Sequence, residues 1–134
     1  MAATRGDGTV GGVAGRLSGG TLSNVHVTGT VTGQNAQVGG LVGWSDIAVL
    51  GLSSSAASVA GTDEVGGLVG RNRAGSIATS YATGAVTGTG IGIGGLVGTT
   101  VQGSTLTDTY ASGLVTGASG TGGVVGSGDG TTIT

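Results

Sequence analysis

The sequence predicts a parallel β-solenoid, a fold in which short strands wind into a coil and successive coils stack along one axis. Three observations predict it. The chain of 134 residues repeats itself every 27 or 28 residues. Its apolar runs are short, rich in Val, Leu and Ile, and bounded by Gly, which is typical of strands separated by tight turns. Gly, Thr, Ser and Val rank low in helix propensity, and no apolar stripe of helical period is present.

The repeat is marked by the pattern Val-Gly-Gly-(Leu/Val)-(Val/Ala)-Gly. It begins at Val10, Val38 and Val65, at Ile93 with Ile leading, and at Thr121 with Thr leading. We therefore expect one domain that consists of a leader, four complete coils and a partial fifth coil. In that order these are residues 1–9, 10–37, 38–64, 65–92, 93–120 and 121–134. Because the fifth unit is incomplete, we expect the chain to be a segment of a longer protein.

Stacked coils bring equivalent side chains into columns, with neighbouring strands about 4.8 Å apart. Three apolar columns are predicted for the core. They are Val13, Leu41, Leu68, Leu96 and Val124; Leu22, Leu50, Ile77 and Leu106; and Val31, Val59, Val86 and Val115. Since the chain has no Phe and a single Trp, a narrow, dry core of aliphatic side chains is expected to supply most of the stability.

A column of glycines is predicted at the bends. Its members are Gly12, Gly40, Gly67, Gly95 and Gly123. Glycine at such positions allows either a positive φ or a close approach of neighbouring backbones, and the sequence leaves both explanations open.

Composition excludes several classes of function. The chain has 34 Gly but no Pro, so it is not collagen. It contains no apolar run long enough for a transmembrane helix, and its first residues lack the apolar stretch of a signal peptide. A net charge of -2 argues against nucleic-acid binding. One His and no Cys leave almost no ligands for zinc, and we expect no metal and no cofactor.

Two short motifs are candidate binding sites. Arg5, Gly6 and Asp7 form a candidate cell-attachment tripeptide, for which a solvated leader is the simpler interpretation. The segment Gly90-Ile-Gly-Ile-Gly-Gly95 matches the dinucleotide fingerprint G-x-G-x-x-G, but the next strand repeat follows it where the fingerprint needs a helix.

The titratable residues do not predict an active site. His26, the only histidine, falls at the place in its unit that Tyr81 and Tyr110 occupy later, which indicates a column position and not a catalytic base. The carboxylates fall at different places in the unit, so they are not expected to stack into one patch. We expect no enzymatic activity.

Gly-Gly-Leu-Val-Gly at residues 66–70 and 94–98, with Ser-Tyr-Ala-Thr-Gly at residues 80–84, resembles the GLUG-motif repeat of bacterial surface proteins. That repeat occurs in filamentous-haemagglutinin-like adhesins, in autotransporter-like proteins and in non-catalytic parts of some IgA-specific metallopeptidases. The resemblance covers residues 10–134 and is most specific in units three and four. It implies an extracellular or cell-surface location in a bacterium and a structural or adhesive role, without naming a binding partner.

The leading functional hypothesis is a non-enzymatic module that gives rigid length to a bacterial adhesin and meets a host or cell-surface ligand. End-to-end self-assembly is the first alternative, because uncapped coils expose strand edges to a second copy. Ice binding is the second, because Thr32, Thr87 and Thr116 repeat at one place in the unit, although Ala60 interrupts the row.

Overall fold

The computed structural model describes residues 3–6, 9–34, 37–129 and 131–134, with residues 3–6 described as backbone only. It confirms the predicted fold class, an all-β parallel solenoid. Four sheets run along the axis, and every strand pairing is parallel, for example Val38 with Val65, Arg16 with Trp44 and Ile77 with Leu106. In each coil the chain passes through four sheets in a fixed order. In the first coil these are sheet B (Val10–Gly11), sheet C (Ala14–Ser18), sheet D (Thr21–Ser23 and His26–Val27) and sheet A (Thr30–Gly33).

Sheets A and B contain five strands each. Sheet A consists of β1 (Ala3–Gly6), β6 (Thr30–Gly33), β11 (Ser58–Gly61), β15 (Val86–Gly88) and β19 (Val115–Thr116). Sheet B consists of β2 (Val10–Gly11), β7 (Val38–Gly39), β12 (Val65–Gly66), β16 (Ile91–Gly94) and β20 (Ser119–Gly122).

Sheets C and D form the rest of each coil. Sheet C consists of β3 (Ala14–Ser18), β8 (Val42–Asp46), β13 (Val69–Arg73), β17 (Val97–Val101) and β21 (Val125–Gly128). Sheet D consists of β4 (Thr21–Ser23), β5 (His26–Val27), β9 (Val49–Gly51), β10 (Ser54–Ser55), β14 (Ser76–Ala82), β18 (Thr105–Ala111) and β22 (Thr132–Ile133).

Residues 3–6, which belong to the segment 1–9 expected as a leader, take part in the stack. Their strand β1 pairs in parallel with β6, with Ala3 opposite Thr30 and Gly6 opposite Gly33. Sheet A therefore begins one strand before the first Val-Gly-Gly pattern.

The predicted apolar columns lie in register. In the first column, the backbone N–H of Leu41 donates to the carbonyl of Leu68 at 2.9 Å, and that of Leu68 to Leu96 at 2.8 Å. The second column pairs Leu22 with Leu50, Leu50 with Ile77, and Ile77 with Leu106. The third pairs Val31 with Val59, Val59 with Val86, and Val86 with Val115. Leu41, Leu68 and Leu96 are fully buried, whereas Val13 in the first coil is 45% exposed.

The glycine column serves close approach and not positive φ, which decides between the two explanations left open. None of its five members has a positive φ. A Cβ added to Gly67 would lie 2.8 Å from the Cβ of Ala82 and would overlap the carbonyl oxygen of Gly95. Any side chain here would push two coils apart.

Positive φ values occur at other positions, several of them occupied by residues other than glycine. One column lies within sheet D and contains Asn24, Leu52, Thr79 and Asp108, with φ between 48° and 58°. In the first two coils this column separates β4 from β5 and β9 from β10. It also shifts the alternation of side chains, so that Ser80 and Ala82 are buried while Tyr81 lies outside.

The core is not wholly aliphatic, which corrects the expectation of a dry core of Val, Leu and Ile. One inward column of sheet C runs through Ser45, Asn72 and Thr100, all of them fully buried. Asn72 Nδ2 donates to the carbonyl of Gly75 at 3.2 Å, and Ser104 Oγ donates to the carbonyl of Asn72 at 2.9 Å. Asn72 and Ser104 thus bind backbone carbonyls at the corner between sheets C and D, where the carbonyl of Gly75 also accepts from the amide of Thr105 at 3.1 Å.

Candidate functional site

The outer face of sheet C changes from large to small side chains along the axis. One column of this face contains Arg16, Trp44, Arg71, Thr99 and Ser127, in coil order. The first three side chains are long or aromatic, and the last two are short hydroxyl residues. The surface therefore steps inward between the third and fourth coils.

The large side chains pack as a stack. The guanidinium carbon of Arg16 lies 4.3 Å from the ring centroid of Trp44, and that of Arg71 lies 5.2 Å from the same centroid. Contacts of this kind stabilise an exposed surface by about 0.5–1 kcal/mol each.

Asp46 ties this stack to its neighbours. Arg73 Nη1 donates to Asp46 Oδ1 at 2.7 Å, and Arg16 Nη2 donates to Asp46 Oδ2 at 3.2 Å. The hydrogen bond from Arg73 is the main cause that lowers the pKa of Asp46. Burial acts in the opposite direction, and the charge of Arg73 together with the hydrogen bond and charge of Arg16 add to the lowering. Asp46 is therefore held as a carboxylate.

A second column, at the corner between sheets A and B, shows the same change in size. Gln37 and Glu64 occupy it with φ of 30° and 51°, and Gly92 and Gly120 follow with φ of 73° and 58°. Gln37 Nε2 donates to Glu64 Oε1 at 2.8 Å, and Arg71 Nη1 reaches the same oxygen at 3.4 Å. Glu64 and Arg71 together form a wall above the two glycines.

A surface pocket of about 460 Å³ lies where the two columns become small. Its wall is the Glu64–Arg71 pair, its floor contains Gly92 and Gly120, and Ile91 stands at its rim with 61% of its surface exposed. The remaining lining residues are Asp63, Thr99, Ser119 and Ser127. This site was not predicted from the sequence, although in the aligned units Trp44 and Arg71 give way to Thr99 and Ser127.

The tripeptide Arg5-Gly6-Asp7 lies at the border of what the structure describes. Arg5 and Gly6 belong to β1, where only the backbone is described, and Asp7 lies outside the described residues. The Gly90–Gly95 segment contains β16 and leads into β17, so a strand follows this match to the dinucleotide fingerprint.

His26 lies in the column in which the sequence placed it. Ser54 pairs with His26 on one side and with Tyr81 on the other, and Tyr81 pairs with Tyr110. His26 Nδ1 and Ser54 Oγ are 2.6 Å apart. The rings of Tyr81 and Tyr110 stack with centroids 5.0 Å apart and planes within 2°, as expected for equal residues one strand apart.

The threonine row of sheet A is interrupted as the sequence indicated. Thr32 pairs with Ala60, Ala60 with Thr87, and Thr87 with Thr116. Leu114, close to the end of this row, is 75% exposed.

The described residues form neither a metal-binding cluster nor a membrane-spanning helix. No group of three or more His, Cys, Asp or Glu side chains there is placed to hold a metal ion. The same part of the chain contains no helix of the length and hydrophobicity that crossing a membrane requires.

These observations define a parallel β-solenoid repeat module with a surface pocket between its third and fourth coils. Residues 6–32 and 61–87 match the family model described as the GLUG motif. The chain therefore carries GLUG-motif repeats, which confirms the resemblance seen in the sequence, and the matches fall mainly in units one and three. Searches of curated proteins and of solved structures gave no significant match.

Proposed function

We propose that this chain is a non-enzymatic module that gives rigid length, and a surface for adhesion, to a secreted or surface-exposed bacterial protein. One observation carries the proposal: each strand of a coil pairs in parallel with the equivalent strand of the next coil, as Val69 does with Val42 and Val97. Hydrogen bonds therefore run along the axis, and length is proportional to the number of coils. The GLUG-motif repeats support the assignment to bacterial surface proteins.

The proposal includes no catalytic role for the single histidine. His26 shares its column with Tyr81 and Tyr110, and its partner Ser54 is the neighbouring residue of that same column. The contact is thus accounted for by stacking of equivalent positions.

Small-angle X-ray scattering tests the mechanical part of the proposal. The two-coil segment 65–120 would be duplicated in tandem once, twice and three times within the full chain. Each duplication should lengthen the particle by about 10 Å, two strand spacings, at constant cross-section. A particle that becomes thicker, or a length that does not rise in proportion, would contradict the proposal.

A second candidate function is head-to-tail self-assembly, which a specific feature of the stack favours. Sheet A runs from β1 to β19, while sheet B runs from β2 to β20. A second copy whose β1 paired with β19 of the first would continue sheets A, B and C and the first part of sheet D in register, and contacts of this heterologous kind propagate into filaments.

Electron microscopy and light scattering over a dilution series test this candidate. Ile133, 54% exposed in the last strand, is changed to Lys to block the contact, and Ile47, 63% exposed in the second coil, is changed to Lys as the control. Assembly lost in the first variant and kept in the second supports the candidate. Particles that stay monomeric at every concentration contradict it.

A further inference from the structure

We propose that the pocket between the third and fourth coils binds one unit of a neutral saccharide. The inference rests on the adhesive part of the proposed function and names the chemical class of its ligand. It is drawn from the shape of the pocket, from the polar atoms that the protein leaves free there, and from the charge balance of the wall.

The pocket has the size and shape of a small-molecule site. Its volume of about 460 Å³ lies within the range of about 300–1,000 Å³ usual for ligand sites. Such a volume corresponds to about fifteen water molecules, some of which a single sugar ring can replace. The absence of side chains at Gly92 and Gly120 keeps the floor low, and Thr99 Oγ1 would be only 2.6 Å from a Cβ on Gly92.

Several polar groups of the pocket have no protein partner. Among the described residues, the hydroxyls of Thr99, Ser119 and Ser127 make no hydrogen bond. Asp63 accepts the backbone N–H of Ile91 through Oδ1 at 2.8 Å, which leaves Oδ2 available. Hydroxyl groups both donate and accept, so a polyol can pair with this mixture of groups.

Arg71 supplies the strong donor. Its only hydrogen bond within the described part of the chain is the long one from Nη1 to Glu64, and 31% of its side chain is exposed. Nη2 and the second N–H of Nη1 therefore remain to donate to neighbouring hydroxyls of a sugar. The exposed aliphatic side chain of Ile91 also lines the pocket and can cover the apolar face of the ring.

The charge balance selects a neutral ligand. Two carboxylates, Asp63 and Glu64, face one guanidinium, so the pocket carries a net charge of about one negative unit and repels anions. A divalent cation would need about six oxygen ligands. Glu64 Oε1 is already shared by Gln37 and Arg71, and Glu64 Oε2 is covered by protein, which leaves Asp63 Oδ2 as the accessible carboxylate oxygen of this pair.

The test is a titration of the isotope-labelled 134-residue protein, followed through its backbone amides by NMR. The probes are glucose, galactose, mannose and N-acetylglucosamine, with calcium chloride and sodium acetate as charged comparators. At least one sugar should shift the amides of Gly92, Thr99 and Gly120 with a dissociation constant of about millimolar, as the small size of the ligand predicts. Neither charged probe should do so.

Variants separate this site from chance contacts. Ser127→Trp, which fills the pocket from an exposed position, should abolish the shifts, while Ser112→Trp, at an exposed position between sheets D and A, should leave them unchanged. Arg71→Met keeps an unbranched aliphatic side chain, removes the guanidinium and should weaken binding at least tenfold.

The inference is overturned if no sugar causes saturable shifts, if Ser127→Trp leaves them intact, or if calcium or acetate binds in place of the sugars. Scattering profiles of the same variants keep the two proposals apart. If a variant loses the sugar-induced shifts but keeps its particle length, the sugar site has been removed and the proposal of a rigid module still holds.

Discussion

A methyl group added at Gly67 should break the contact between the third and fourth coils. The new Cβ would lie 2.8 Å from Ala82 Cβ and would overlap the carbonyl oxygen of Gly95. Carbon atoms in contact are normally about 3.5–4.0 Å apart, so the backbones must separate by roughly 1 Å. That shift falls beside two hydrogen bonds between coils, from the amides of Leu68 and Val69 to the carbonyl of Leu96.

The cost follows from those contacts. Each buried hydrogen bond that is lost costs about 1–3 kcal/mol, because its donor stays buried without a partner. Together with the lost packing, Gly67→Ala should lower the free energy of unfolding by about 3–5 kcal/mol, which places it among the severe single substitutions. A domain with a total stability of about 5–15 kcal/mol would lose much of its margin.

Gly123→Ala is the matched control. Gly123 holds the same place in the repeat, yet a Cβ there meets no described atom within 4 Å. Its effect should stay within about 1 kcal/mol of zero. Urea unfolding followed by far-ultraviolet circular dichroism measures both variants, and equal stabilities would refute the account of the glycine column.

Three further predictions follow from burial, backbone and charge. Leu68→Ala, at a fully buried side chain, should cost about 2–5 kcal/mol, whereas Leu114→Ala, at a side chain 75% exposed, should stay within about 0.5 kcal/mol; urea unfolding would contradict this if the two costs were similar. Ile47 has a φ of 52°, which a β-branched residue adopts at a cost, so Ile47→Asn should raise the melting temperature by the equivalent of about 1 kcal/mol, and Ile47→Val should not. Because the folded state lowers the pKa of Asp46, its carboxylate stabilises the protein at neutral pH, and this contribution is lost as the pH falls below about 4 and through the lowered pKa. The stability difference between the protein and Asp46→Asn should therefore shrink in acid, and a difference that is constant with pH would refute the assignment.

The stacking of Leu41, Leu68 and Leu96 could be predicted because the same residue type recurs at the same place in the unit. A regular spacing is enough to align a column, whatever the shape of the coil. The sheet that each segment joins could not be predicted, because the short strands within a coil have similar compositions.

The turn in sheet D shows why side-chain direction was out of reach. Asn24, Leu52, Thr79 and Asp108 share a positive φ but no chemical property, so no residue type marks the position. One residue in this conformation reverses the inward and outward alternation of the side chains that follow it. Ser80 is therefore buried, although its polar side chain alone would suggest an outward position.

The candidate pocket was missed because it results from a difference between units. Repeats are recognised by the residues that coils share. Arg71 and Thr99 occupy the same place in two units but differ in type, so this place does not contribute to the repeat pattern. Glu64 and Gly92 likewise occupy the same place in successive units. Only the register of neighbouring coils shows that the change from Glu to Gly makes a cavity.

The step from large to small side chains on sheet C has a consequence for how such a chain can vary. A whole coil can be gained, lost or exchanged without disturbing the alignment of the buried columns, because each coil presents a similar backbone to its neighbours. The junction between Arg71 and Thr99, in contrast, exists only where those two particular coils are adjacent. Recombination that preserves the architecture can therefore create or erase this pocket in one event, while the buried columns stay unchanged.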